Sequence, residues 1–114
     1  KISVYVKGGI LMAYHGDNAV TAWIKYNSTT ATLNDDYGFS SISDQGTGNF
    51  ILSFSTTMSS SDYAVAAGGG GGTGSLSDGS NIGSISTGSF RQEWGNGGTY
   101  YDFNRCYAIV CGGF

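Results

Sequence analysis

The segment from Trp94 to Phe103 is the part of the chain whose residue types best suit binding chemistry. It carries an Asn-Gly turn signal at Asn96 and four aromatic residues around that turn. Aromatic rings stack on sugar rings, and Asn, Asp and Thr side chains form hydrogen bonds with hydroxyl groups. The candidate contacts for a glycan or a protein surface are therefore Trp94, Asn96, Thr99, Tyr100 and Asp102.

Strand alternation divides these candidates. If Tyr101 and Phe103 face inward, Tyr100 and Asp102 face the solvent. Tyr100 is therefore the preferred exposed contact. The same residues also fit a plain hairpin whose aromatic side chains pack into the protein, because Asn-Gly is the strongest short hairpin signal. Both interpretations stay open.

Catalytic and metal-binding combinations of residues are scarce. His15 is the only histidine and lies in a His-Gly-Asp-Asn turn signal, where we expect a solvent-exposed side chain rather than a catalytic base. One histidine and two cysteines do not make a usual zinc site, and Asp35 and Asp36 lack the ligand spacing of a calcium loop. Glu93 and Asp102 would suit a glycosidase only if the fold held them ~5–10 Å apart. We expect no enzyme, no metal and no cofactor.

The two cysteines, Cys106 and Cys111, lie in one apolar segment. On a continuous strand they would be roughly 16 Å apart, which is too far for a disulfide. We expect two buried free thiols that behave as small hydrophobic residues. Such a chain is compatible with assembly in a reducing cytoplasm.

Composition indicates one all-β domain over residues 1–114. The chain has 20 glycines, no proline and 11% charged residues, and its many Thr, Tyr and Phe residues suit strands better than helices. A net charge of −3 with scattered basic residues argues against nucleic-acid binding. No apolar run reaches the ~20 residues that cross a bilayer, so we expect no membrane insertion. The chain begins at Lys1, and we expect it to be a fragment or a processed piece of a longer protein.

Short alternating segments separated by turn signals predict an antiparallel β-sandwich, with a jelly roll as one variant. The clearest unit is a hairpin over residues 39–55 that turns at 44–49 and places Phe50, Leu52 and Phe54 on one face. Residues 34–36 are predicted to be a turn. Further strands are predicted at 2–6, 10–14, 20–26, 31–33, 63–67, 90–94 and 106–111.

Residues 68–88 differ from the rest of the chain. They are nearly all Gly, Ser, Thr, Asp and Asn, and they begin with five successive glycines. Three interpretations remain open: a flexible surface loop, an adaptable binding loop, or backbone that packs closely against other copies. Residues 68–83 are therefore a second candidate contact segment.

Two blocks resemble a β-sandwich module at the C-terminal ends of bacteriophage tail fibres and related virion proteins. Residues 22–29, Ala-Trp-Ile-Lys-Tyr-Asn-Ser-Thr, are similar to its opening strand, and residues 37–50 are similar to its Gly-Thr-Gly hairpin. Residues 54–64 fit its closing strand pair, and residues 106–114 are similar to its short apolar ending. The similarity is close over residues 20–67 and does not extend to 68–104.

The resemblance implies a non-enzymatic, homotrimeric domain at the tip of a tail fibre, where residues 1–18 could link to an upstream fibre region. Such a domain belongs to the virion, is assembled in the host cytoplasm, and attaches the phage to the host by binding a surface glycan or an outer-membrane protein without covalent chemistry. Two alternatives are a structural or trimerisation domain without its own receptor, and a secreted carbohydrate-binding, lectin-like module. The shared scaffold residues, which we expect in the core, are Trp23, Phe39, Ile42, Phe50, Leu52 and Phe54.

Overall fold

Strand formation follows the alternation of apolar and polar residues along the chain. The computed structural model describes residues 2–6, 10–14, 20–70 and 78–113. Every regular element in these ranges is a β-strand. In chain order they are β1 (Ile2–Val6), β2 (Ile10–Tyr14), β3 (Val20–Asn27), β4 (Thr32–Tyr37), β5 (Phe39–Asp44), β6 (Asn49–Phe54), β7 (Tyr63–Gly70), β8 (Asp78–Gly83), β9 (Ser89–Asn96), β10 (Thr99–Tyr100) and β11 (Arg105–Gly112).

The described strands form two large antiparallel sheets and one small one. The four-stranded sheet has the order β4-β3-β11-β7. The five-stranded sheet has the order β10-β9-β6-β5, and β8 pairs with β9 in addition. Strands β1 and β2 pair with each other, with Val4 opposite Met12. The two large sheets enclose one core, which confirms the predicted antiparallel β-sandwich.

The core is built from alternate residues of facing strands. Phe50, Leu52 and Phe54 are buried on β6, as predicted, and Phe90, Gln92 and Trp94 are buried on β9. The opposite sheet contributes Ala22, Ile24, Tyr26, Tyr63, Cys106, Ala108 and Val110. Phe39 is also buried, and Ile42 is partly buried against the same cluster.

One polar network crosses this apolar core. The indole Nε1 of Trp94 donates a hydrogen bond to the hydroxyl of Tyr26 (2.9 Å), which in turn donates to Oε1 of Gln92 (2.7 Å). The amide Nε2 of Gln92 donates to the backbone carbonyl of Tyr107 (3.2 Å). Desolvation raises the pKa of Tyr26 far above its ordinary value.

Two predictions for polar segments are corrected by the structure. The turn expected at residues 34–36 lies inside β4, an edge strand paired with β3 in which Lys25 is opposite Asp35. Part of the glycine-rich segment is also strand, because β7 continues through Gly70 beside β11 and because β8 lies within the same segment. Backbone pairing with a neighbouring strand holds these residues extended although their side chains give little strand preference.

One row of residues on the outward face of the four-stranded sheet is apolar, next to a row that carries Lys25 and Asp35. Trp23 was expected in the core, but Ala22 and Ile24 take the inward positions on β3, and Trp23 faces outward with 37% of its surface exposed. It lies in one row across the sheet with Tyr37, Ile109 and Ala66. We call these four residues the apolar face.

Both cysteines are free thiols, as predicted, although only Cys106 is fully buried and Cys111 is partly exposed. Desolvation raises the pKa of Cys106 to about 11. His15 and residues 71–77 lie outside the described residues. The predictions that concern them stay predictions.

Candidate functional site

A groove of about 370 Å³ lies on the outward face of the five-stranded sheet, where β8, β9 and β10 come together. It brings together the two candidate contact segments of the sequence, since β8 belongs to the second one. Its lining residues are Gly79, Ser80, Asn81, Glu93, Trp94, Gly95, Asn96, Gly97, Gly98, Thr99 and Tyr100. We call it the β8–β10 groove.

The hairpin between β9 and β10 places Tyr100 at the edge of this groove. Asn96 pairs with Thr99, and the two residues between them, Gly97 and Gly98, have φ angles of +58° and +86°. A two-residue hairpin loop of this kind requires positive φ at both positions, which only glycine adopts without strain. The predicted hairpin is therefore present, but its loop is Gly97-Gly98 and not the Asn96-Gly97 pair of the turn signal. It sets Tyr100 opposite Gly95.

The backbone of Tyr100 lies opposite Gly95 on β9, and its side chain points towards Glu93, two residues before Gly95 on the same strand. Its hydroxyl donates a hydrogen bond to Oε2 of Glu93 at 2.7 Å. This hydrogen bond to a carboxylate raises the pKa of Tyr100 above its ordinary value. Tyr100 is 52% exposed, in agreement with its predicted outward orientation.

Glu93 is held from a second side by β8. Asn81 lies opposite Glu93 in the β8–β9 register, and its Nδ2 donates to Oε1 of Glu93 at 3.3 Å. From the sequence, Glu93 was predicted only as a possible partner of Asp102 in a catalytic pair, and its place in the groove was not. A signal for its position was present, because Phe90, Gln92 and Trp94 on the inward face place Glu93 on the outward face.

The floor of the groove is backbone. Gly79 on β8 lies opposite Gly95 on β9, so neither position carries a side chain where the two strands meet. A Cβ atom on Gly79 would have no other atom within 4 Å, whereas one on Gly95 would collide with the carbonyl oxygen of Thr99. Glycine at 95 is therefore required by the hairpin, and glycine at 79 keeps the groove open.

Trp94 takes a different role from the one predicted. It is among the residues that line the groove, but it is only 2% exposed and its indole packs against the ring of Phe103 at 5.6 Å between centroids. The indole lies in the core and is therefore not accessible to a ligand at the surface. Asn96, Thr99 and Tyr100 remain candidate contacts within the groove.

Asp102 lies outside the groove lining. Its Oδ1 accepts a hydrogen bond from the backbone N–H of Gly48 at 2.7 Å, which ties the segment after β10 to the turn between β5 and β6. Residues 101–103 are not strand, so the expected alternation does not hold. Phe103 is buried as expected, but Tyr101 is 49% exposed.

A second groove, of about 570 Å³, lies between the start of β3 and the loop after β6. Its lining includes Tyr37, Met58 and the hydroxyl groups of residues 55–57. Among the residues that the structure describes, this lining contains no charged side chain and none of the contacts predicted from the sequence. The β8–β10 groove is therefore the better candidate site.

Within the described ranges, no three His, Cys, Asp or Glu side chains lie close enough together to hold a metal ion. In the part of the chain that the structure describes, no helix is long and apolar enough to cross a membrane.

Comparisons with protein-family models, with curated proteins and with solved structures found no match to this chain. The tail-fibre resemblance therefore rests on the sequence blocks themselves. In the structure these blocks are β3 with its following turn, and the β5–β6 hairpin with the residues just before it.

Proposed function

We propose that this chain is a tip domain of a bacteriophage tail fibre that attaches the virion to the host surface through the β8–β10 groove. The observation that carries the proposal is an exposed Tyr100 ring beside a carboxylate, Glu93, that two neighbouring side chains hold in place. The ligand is a glycan or an outer-membrane protein of the bacterial surface. Attachment is non-covalent, and the proposal includes no catalytic step, metal or cofactor.

The groove suits weak, repeated contacts. Its volume lies near the lower end of the range for ligand pockets, so one site would contact only a small group of the ligand. Weak single-site binding is sufficient when several copies engage one surface, because linked sites raise the overall avidity. The virion would supply these copies through several fibres.

The apolar face supports the accompanying proposal of a homotrimer, assembled with the virion in the host cytoplasm. Tyr37 is 62% exposed and Ile109 is 46% exposed, and both lie beside Trp23 in one row. Contiguous apolar surface on a lone subunit is unfavourable in water, and burial against another copy removes this cost. The groove is on the other sheet, so assembly through the apolar face would leave it accessible.

A cell-binding assay tests the attachment proposal. Labelled wild-type chain is screened against a panel of bacterial strains, and a strain that binds it is then used with Tyr100→Ala and with the matched control Tyr101→Ala. Tyr101 is nearly as exposed as Tyr100 but does not line the groove. We expect Tyr100→Ala to lose about tenfold or more in apparent affinity, since exposed aromatic anchors carry much of the binding energy, while Tyr101→Ala binds like wild type. Equal binding by the two variants would contradict the proposal.

The apolar face also favours a second candidate, a structural or trimerisation domain without its own receptor. This alternative predicts that the chain assembles in solution but binds none of the strains, and that Tyr100→Ala has no effect on phage adsorption. Assembly together with Tyr100-dependent binding to cells would favour the attachment role.

A further inference from the structure

The β8–β10 groove has a chemical character that narrows its ligand. Among the described residues that line it, Glu93 is the only charged one. Arg91 lies two residues before Glu93 on β9, but its Nη1 donates to Oδ1 of Asn49 at 2.6 Å and it is not part of the lining. The lining therefore carries one negative charge, Glu93, and the positive charge of Arg91 beside the groove partly offsets the effect of Glu93 on the pKa of Tyr100.

The carboxylate of Glu93 is arranged to accept hydrogen bonds. The Tyr100 hydroxyl uses one lone pair of Oε2, and the Asn81 amide uses one lone pair of Oε1. Each carboxylate oxygen has two such sites, so each can accept a further hydrogen bond from a ligand. Two neighbouring hydroxyl groups would fit this pair of acceptors, whereas an anionic group would be repelled.

The surroundings of the carboxylate suit a flat ring. The Tyr100 ring offers an apolar surface beside it, on which the C–H face of a sugar can stack. The open side of Gly79 lets a ligand approach the backbone closely, because no Cβ stands in the way there.

We infer that the β8–β10 groove binds an uncharged pyranose unit of a cell-surface glycan, stacked on Tyr100 with hydroxyl groups donating to Glu93. This inference rests on the proposed attachment function and narrows its ligand to a neutral sugar. An acidic sugar or a protein is the competing outcome.

The first test measures binding of simple sugars to the 114-residue chain by NMR titration. Neutral methyl hexopyranosides of the gluco, galacto and manno series are compared with the methyl glycosides of the corresponding uronic acids. Each acid differs from its neutral partner only in a carboxylate at C6. We expect at least one neutral glycoside to shift the amide signals of Gly79 and Gly95, and its uronide to bind at least about tenfold more weakly because of like-charge repulsion. Glu93→Gln should reduce this difference in affinity, because it removes the negative charge of the groove lining. Equal or tighter binding of the uronides, or no neutral glycoside binding at the groove, would overturn the inference.

Two valine variants test whether the ligand occupies the open space beside Gly79. A Cβ atom added to Gly79 or to Gly83 would meet no other atom within 4 Å, so both sites on β8 have room for a side chain. Only Gly79 lines the groove. Gly79→Val should weaken neutral-sugar binding by about tenfold or more, since a side chain then fills the ligand space, while Gly83→Val should bind like wild type. The same affinity in both variants would place the sugar elsewhere.

A cell-based arm separates failure of this inference from failure of the proposed function. Cells of a strain that binds the chain are treated with periodate, which oxidises glycans, or with protease. Loss of Tyr100-dependent binding after periodate alone supports a sugar ligand. Loss after protease alone would overturn the sugar inference and leave the attachment function standing, whereas an absence of any Tyr100-dependent binding to cells would contradict both.

Discussion

The hydroxyl of Tyr26 accepts a hydrogen bond from the indole nitrogen of Trp94 at 2.9 Å, and this contact joins the two sheets inside the core. The same hydroxyl donates to Gln92 at 2.7 Å. A single oxygen atom therefore satisfies two buried polar side chains of β9. An apolar core tolerates such groups only when each has a partner.

Removal of this oxygen should be costly. Tyr26→Phe leaves the Trp94 N–H and the Gln92 carbonyl oxygen without their partner, and we expect a loss of about 2–4 kcal/mol in the free energy of unfolding. Urea denaturation followed by tryptophan fluorescence measures it. Tyr101→Phe, which removes an exposed phenol oxygen, is the control and should change stability by no more than about 0.5 kcal/mol. Similar losses in both variants would show that the network contributes little.

Two glycines with nearly the same backbone conformation provide a test of close packing. Gly48 has φ +63° and Gly97 has φ +58°, but a Cβ on Gly48 would lie 2.5 Å from the carbonyl oxygen of Trp94, whereas one on Gly97 would meet nothing within 4 Å. Gly97→Ala should cost about 1 kcal/mol from backbone strain alone. Gly48→Ala should cost about 3 kcal/mol or more, because it adds a steric clash. Thermal and urea unfolding measure both, and equal costs would contradict the observed close approach.

Stability should fall at alkaline pH. The pKa of Cys106 is about 11 in the folded chain against an ordinary value of 9.0, so the folded state holds this proton more tightly than the unfolded state. The contribution is complete below pH 9 and is lost as the pH rises through 11, with a total of ~2–3 kcal/mol. The raised pKa of Tyr26 acts in the same direction above pH 10. Urea unfolding at pH 8 and pH 10.5 should show the decrease, and it should be smaller in Cys106→Ala. An unchanged decrease in that variant would rule out the thiol as its source.

Self-association should depend on the apolar face. Ile109→Lys places a charge in the row with Trp23 and Tyr37, and we expect light scattering to show a smaller mass for this variant than for wild type, which should lie near three chains. Ile85→Lys is a matched control, because Ile85 is 45% exposed against 46% for Ile109 but lies in the segment between β8 and β9. If both variants keep the wild-type mass, the apolar face is not the interface.

Alternation located the strands whose inward residues are large and apolar. The β5–β6 hairpin was predictable because Phe50 and Leu52 are two residues apart on β6 and are both fully buried. Strand β9 was predictable in the same way from Phe90 and Trp94. Strand β4 was predicted only as far as Leu33, and β8 was missed, because each has a single large aliphatic residue packed against the core, Leu33 and Ile82. Their extended conformation comes from backbone pairing with β3 and β9, which residue types alone do not reveal.

The same reason explains which part of the candidate site was predictable. Tyr100 was predicted from a local hairpin signal and from strand alternation, and it is exposed although the alternation fails at Tyr101, which is exposed as well. The contact between Asn81 and Glu93 depends on which residues of β8 and β9 lie opposite each other. The segment that connects the two strands has no turn motif from which this register could be predicted. The turn and loop positions of a sandwich are local features, whereas strand neighbours are set by the packing of the whole molecule.

Alternate residues of β9 face opposite sides of the sheet, one side being the core and the other the groove. Gln92 and Trp94 face the core, while Glu93 between them faces the groove. If the β8–β10 groove binds a ligand as proposed, substitutions at positions 81, 93 and 100 alter that binding without changing the buried residues Gln92 and Trp94. On the proposed attachment function, a few outward replacements would exchange one surface ligand for another while the buried half of β9 is inherited unchanged.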